Sequence, residues 1–308
     1  MSFSKAMRET EESIQASALD EKEKKQAKVF LEIMTEVGNT LLEEREACKE
    51  AGEVSHDKVR SIDIQITNQL CDRISQHPDL CDVFCSEDKE PEVFSGENMR
   101  DAQKFVLVDA VDNTKGYVNT KRKDFGSSLI GFNNNTGEVF VSIFILPAME
   151  VVLCAFGAAK VWLNGCRLLS LKEMRPPLIR QANVRRPREG TLVSDGVSQY
   201  YANSEKCFVN EHFDVSKGPD LTALNSLSIA NGCGPTKFLY FAKSWDILSP
   251  AYIAFAVGAK ATFPATRESV FPLPLWLRTK ILAGAEERKK MESQGSFRDL
   301  YLIEWPEK

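Results

Sequence analysis

Phe105-Val106-Leu107-Val108 runs straight into Asp109 and Asp112, with Asn113, Thr114 and Lys115 close behind. Four consecutive apolar residues read as a buried strand, whereas aspartate is disfavoured inside strands and is almost never fully buried without a partner. A chain that ends such a strand in two carboxylates is building something at the carboxyl edge of a sheet. Taken alone, the pair reads equally as a turn cap, because Asp and Asn close turns through their own backbone, or as a metal site.

The rest of the chain narrows that choice. Its 308 residues are enough for one large core or two moderate ones, and 43% hydrophobic with 27% charged residues is the balance of an ordinary soluble globular protein. A net charge of -5 argues against a nucleic-acid polymer as partner, since phosphate-backbone binding needs a dense basic face. No apolar run reaches the roughly 20 residues of a membrane span, and MSFSKAMRETEESIQ has no hydrophobic signal core. The expectation is a cytoplasmic protein with no membrane partner. The eight cysteines include no CxxC pair and there are only three histidines, so zinc is not expected and the thiols are expected to be reduced.

Helical spacing appears from Leu19 to about Glu44 and again from His56 to Gln76, with Asp63 at the edge of the second apolar stripe. Asp82 to Cys85 reads as a second short strand, leading into Ser86-Glu87-Asp88. From Phe125 to Gly165 the period changes to two, with turns at Asn133 to Gly137, Pro147, Gly157 and Asn164-Gly165, which predicts an antiparallel meander. Met174 to Gly190, rich in proline and arginine, reads as a connection between an α+β part over 1–175 and an α/β part over 176–308. Beyond it, TLVSD reads as a strand, Leu221 to Asn231 as a helix, and Leu248 to Val257 as a helix apolar on all sides and therefore buried, stopped by Gly258. Ser249-Pro250 offers this last helix a start that would leave Asp246 on a loop.

Glu87 and Asp246 shift the balance at Asp109 and Asp112. Four carboxylates entering one region repel unless cations neutralise them, and hard oxygen donors with few histidines favour Mg²⁺ or Mn²⁺ over zinc. Clustered carboxylates beside a helix start suit phosphoryl transfer, with metals holding the phosphate and the attacking water in line.

Three stretches, Ser86 to Asp88, Asp109 to Tyr117 (DAVDNTKGY) and Trp245 to Ala259 (WDILSPAYIAFAVGA), resemble in order and spacing the three motifs of the inositol monophosphatase superfamily, the Mg²⁺-dependent, lithium-sensitive phosphomonoesterases. The resemblance spans about residues 25 to 272. It implies a layered α/β/α/β/α sandwich of the inositol monophosphatase and sugar phosphatase type. It also implies metal ligands at Glu87, Asp109, the Val111 carbonyl, Asp112 and Asp246 for two or three Mg²⁺ ions, with Mn²⁺ as a substitute. Asp63 and Thr114 would position and activate the water, and the amides of Asn113 and Thr114 would hold the phosphate, with Lys115 and Ser194 toward the substrate. Dimers are common in the family, so a homodimer is compatible with it.

The TKGY stretch and the following meander look most like the 3′(2′),5′-bisphosphate nucleotidase branch, which implies 3′-phosphoadenosine 5′-phosphate as substrate. An inositol phosphate is the next reading and fructose bisphosphate a weaker third. Ala110, Asn113 and Asp88 depart from the usual proline, glycine and glutamate. The nucleotidase histidine is missing after Ser194-Asp195-Gly196, and a lysine of that branch falls at Asn225. These departures support a rival from another class, a relative that keeps the fold and binds a ligand or partner without turnover. Trp245 is expected to be core packing rather than a substrate platform, and Lys115 reads equally as a phosphate contact or a solvated side chain.

Overall fold

A computed structural model describes residues 2–51, 55–87, 89–94, 99, 101–112, 114–118, 123, 125–157, 160–168, 191–193, 215–217, 237–264, 266–294 and 299–304. Three helices open the chain: α1 (Phe3–Gln15), α2 (Glu21–Ala51) and α3 (His56–Ser75). Ser2 caps α1 by accepting from the Lys5 amide, and Ser55 caps α3 by accepting from the Lys58 amide. Helix α1 has no counterpart among the helices expected from spacing, because its buried Phe3, Ala6, Met7, Thr10 and Ile14 lie among charged residues that blur the stripe. Helix α2 runs past the expected end near Glu44, because Arg45 and Cys48 carry the buried stripe on toward Ala51.

Eight strands form the larger sheet: β1 (Val83–Ser86), β2 (Glu92–Val93), β3 (Lys104–Asp112), β4 (Gly126–Asn133), β5 (Val139–Leu146), β6 (Val151–Phe156), β7 (Lys160–Leu163) and β8 (Cys166–Leu168). Their order is β2-β1-β3-β4-β5-β6-β7-β8. Only β1 and β3 run parallel within it, and β4 to β8 are the expected meander. The short helix α4 (Thr114–Val118) follows β3. A second sheet takes β9 (Thr191–Val193), β10 (Val215–Lys217), β11 (Lys237–Ala242), β12 (Lys260–Thr262) and β13 (Asp299–Glu304) in the order β10-β9-β11-β13-β12. Helices α5 (Ser244–Ala256), α6 (Leu275–Ile281) and α7 (Ala285–Ser293) complete the described α-helices.

The larger sheet is buried on both faces, and side-chain alternation divides it. Val106, Val108, Ile143 and Ile145 join the core beneath α1 to α3, while Phe105, Leu107, Phe144 and Leu146 join the core that holds α5. That second core continues through Trp245, Leu248 and Ala251 to Ala261, Tyr301 and Ile303 of the smaller sheet. The layers are therefore helices, large sheet, α5 and small sheet. The helix expected over 221–231 and the connection over 174–190 lie outside the described residues. Among the described residues no helix is long and apolar enough to cross a membrane.

Helix α5 begins four residues earlier than Leu248, so Asp246 lies in its first turn rather than on a loop, and Pro250 sits inside the helix. Burial on nearly every side outweighs the one backbone bond that the proline removes. Gly258, at φ +108, ends the segment as expected.

Gly126 pairs with Asp112 and packs so close to β5 that an added Cβ would lie 2.0 Å from the Ile145 carbonyl oxygen. Gly126→Ala is expected to cost about 3 kcal/mol through forced displacement of backbone, read as a lowered urea midpoint at unchanged slope.

Candidate active site

Strand β3 carries the acids further than the sequence reading allowed: it runs through Asp109 to Asp112 instead of ending at Val108. A plain strand would put residues three apart on opposite faces. Opposite β4, however, the register slips between Asp109 and Asp112, so that Asp109 pairs with Ser128 and Asp112 with Gly126. The extra residue is a β-bulge. Ala110 and Val111, although consecutive, both join the core beneath α1 to α3. Asp109 keeps the parity of Phe105 and Leu107 and faces the α5 side, as does Glu87, one residue past β1 and in step with Val83 and Cys85.

Asp109 is 8% exposed, and its carboxyl is pushed well above the ordinary carboxylate range. Burial is the main cause, followed by the negative charges of Asp112, Asp246, Asp63 and Glu87. Acids from β3, α5, α3 and the end of β1 thus act on one buried carboxyl. Among the described residues, no hydrogen-bond donor stands against two buried carboxylate oxygens, Asp63 Oδ1 and Asp112 Oδ2. Thr114 opens α4, and its hydroxyl donates to the Val111 carbonyl at 3.5 Å. Asn113, Asp88 and Ser194 lie outside the described residues, as does the side chain of Lys115.

Several residues that hold this arrangement carried no motif. Ser127 donates to the Asp109 carbonyl at 2.9 Å, and Ser128 to the Trp245 carbonyl at 3.3 Å. Ser142 donates to the Ser249 carbonyl at 3.0 Å, and the Ser249 hydroxyl donates to the Ile143 carbonyl at 3.1 Å. Ser128 and Ser142 occupy strand positions whose parity is otherwise apolar, and that anomaly was the available signal. Arg45, buried in α2, donates to the carbonyls of Tyr117 (3.1 Å) and Gly116 (3.3 Å), with its guanidinium 4.3 Å from the Phe125 ring. It anchors α4 behind Thr114.

Glu87 and Asp246 are already engaged. Glu87 Oε1 accepts from Lys243 Nζ at 2.7 Å and Oε2 from Trp245 Nε1 at 2.9 Å. Asp246 Oδ2 accepts from the Lys243 amide at 3.3 Å, capping α5. Burial works against the charge of Lys243, but Glu87 and Glu292 outweigh it and hold the ammonium above its usual range. Trp245, 3% exposed, is core packing as expected, with its indole N–H turned to Glu87. Among the described residues no three acidic, histidine or cysteine side chains already surround a common point as metal ligands.

No family model and no curated protein matches the sequence. Solved structures do. Inositol monophosphatase II from Staphylococcus aureus MSSA476 aligns with TM-score 0.61 at 15% identity over 90% of each chain. An inositol monophosphatase/NADP phosphatase complexed with NADP and Ca²⁺ aligns with TM-score 0.60 at 14% identity, covering 94% of this chain and 92% of the other. The extragenic suppressor protein SuhB from Bartonella henselae aligns with TM-score 0.56 at 15% identity over 91% and 93%. The chain has the inositol monophosphatase fold.

Within that fold the acids of this chain meet where the larger sheet, α3 and α5 come together, and burial with the surrounding like charge pushes the Asp109 carboxyl up. A folded-state value above the ordinary 3.8 means that the folded chain keeps a proton which the unfolded chain releases. In chelator, stability contributed at this site is present below about pH 4 and declines as pH rises from there toward the raised value, by up to about 1.4 kcal/mol per pH unit. Urea denaturation at pH 5 and pH 8 should show wild type losing stability relative to Asp109→Asn, whose side chain does not ionise. Parallel pH profiles for the two proteins would contradict the burial of a strained acid here.

Proposed function

We propose that the chain is a divalent-cation-dependent phosphomonoesterase acting on a small phosphorylated metabolite. The observation that carries this reading is the convergence of Asp63, Glu87, Asp112 and Asp246 on buried Asp109. So much like charge is costly to keep together without a cation, and an all-oxygen donor set suits Mg²⁺, with Mn²⁺ as the alternative. The buried Asp63 Oδ1 and Asp112 Oδ2 fit such an ion.

Asp109, Asp112, Glu87, Asp246 and the Val111 carbonyl would hold the metal. Bound there, Mg²⁺ would supply charge stabilisation for the phosphate and lower the pKa of a water. The roles of the chain's own groups follow from their chemistry. Thr114 donates toward Val111, so its oxygen lone pairs can accept from a water. Asp63, half-buried on α3, is suited to take that water's proton. Asn113 and Thr114 would present backbone N–H groups to the phosphate, and Lys115 and Ser194 would face the remainder of the substrate.

The substrate we favour is 3′-phosphoadenosine 5′-phosphate, on the TKGY stretch that opens α4, with an inositol phosphate as the alternative. Two solved structures of the staphylococcal inositol monophosphatase II hold 2′-AMP and inositol monophosphate respectively, so a site on this fold can bind an adenosine phosphate as well as an inositol phosphate. A second reading, binding without turnover, draws on one observation: Lys243 already neutralises Glu87.

Phosphate release from 3′-phosphoadenosine 5′-phosphate, inositol 1-phosphate and fructose 1,6-bisphosphate, with Mg²⁺ and with chelator, separates these readings. Metal-dependent turnover of the nucleotide is expected, and Asp112→Asn should reduce it by about 10³-fold or more while remaining folded. Wild-type rates in a folded Asp112→Asn protein would remove the site assignment. Metal binding without turnover of any of the three would favour the binding reading.

A further inference from the structure

Lys243 Nζ sits in a fork between two acids. It is 2.7 Å from Glu87 Oε1 and 3.0 Å from Glu292 Oε1 of α7, and it lies 5.6 Å from the centre of the Trp245 ring. Both oxygens of Glu87 are engaged, one by this ammonium and one by the Trp245 indole. The two donors differ in freedom. Trp245 is locked in the core, whereas lysine carries its charge on a flexible four-carbon stem.

Glu292 is held ready as a second acceptor. One turn before it on α7, Arg288 is buried and donates to the carbonyls of Ser86 (2.6 Å), Ala283 (2.8 Å) and Ile281 (3.3 Å), with its guanidinium 5.4 Å from the Trp245 ring. Residues four apart share a helix face. Arg288 therefore fixes α7 against the residue preceding Glu87, and Glu292 projects beside it. A divalent cation at Glu87 would lie within a few ångströms of an ammonium bonded to the same carboxylate, and like charges that close in a half-buried site repel strongly.

We propose that Lys243 is an exchangeable internal cation: it neutralises Glu87 in the metal-free protein and withdraws onto Glu292 when a divalent cation binds. Lys243 and Glu292 together then set the cation affinity of the Glu87 side of the site. This inference rests on the metal-dependent reading above. It gives α7, which holds none of the proposed ligands, a direct influence on metal occupancy.

Calorimetric Mg²⁺ titration of the full chain tests it without recourse to activity. Lys243→Met keeps a stem over Trp245 but removes the competing charge, and it is expected to tighten Mg²⁺ binding about tenfold. Glu292→Gln removes the negative charge that would receive the ammonium, leaving only a neutral amide oxygen, and is expected to weaken binding about threefold or more in the wild-type background. In the Lys243→Met background the same change should have little effect, because no ammonium remains to be received. Binding that Lys243→Met leaves unchanged or weakens overturns the inference and leaves the phosphatase reading standing. So does a Glu292→Gln effect of equal size in both backgrounds, which would mark two independent charges in the general field. Mg²⁺ binding to neither wild type nor Lys243→Met would overturn both readings.

Discussion

The mutual repulsion of carboxylates gathered around Asp109 is the constraint on which the rest of the structure depends. Asp109 loses its hydration inside a sheet covered on both faces, and Asp112, Asp246, Asp63 and Glu87 add to the cost of its charge. Such a cluster persists only where surrounding packing leaves it no way to relax. That packing comes from two cores, one on each face of the sheet, meeting back to back through β3 and its neighbours. The serines that bond the sheet to α5 supply direction as well, because each must satisfy a buried carbonyl.

Compensation arrives unevenly. On the α5 side, Lys243 and Trp245 hold Glu87, and Asp246 is used as a helix cap. At Asp109 the leading influences on the carboxyl are burial and the negative charges of Asp112, Asp246, Asp63 and Glu87, a combination that a bound cation would relieve. Arg45 and Arg288, both buried, donate to backbone carbonyl groups. Each fixes a backbone segment next to a proposed functional residue, Arg45 behind Thr114 and Arg288 just before Glu87.

Much of the architecture was legible from periodicity. The two-residue period from Phe125 to Gly165 became the meander, the stripe from His56 became α3 at almost its expected length, and the all-round apolar segment became buried α5. The misses have physical reasons. Helix α1 hides its apolar face among charges, and the early start of α5 follows from Asp246 capping the Lys243 amide, which outweighs the Ser249-Pro250 signal. The bulge between Asp109 and Asp112 left no mark in composition, yet it decides which way each side chain points. The lysine between Glu87 and Glu292 was equally hidden, since its partners lie 156 and 49 positions away in the chain.

By itself the sequence determined most of the local choices: which strongly periodic segments are strands or helices, which of their residues must be buried, and that four acids with oxygen-donor chemistry stand near segment ends while a fifth, Asp63, lies at the edge of a helical stripe. These follow from short-range periodicity and from the high cost of burying an unpartnered carboxylate. Only the tertiary structure decided that those acids act on one another, that Asp109 is buried among them, and that Glu87 is shared with Lys243. Such facts depend on sheet register, on the bulge and on the docking of α5 and α7, and distances between remote segments are set when two faces of one sheet are buried at once.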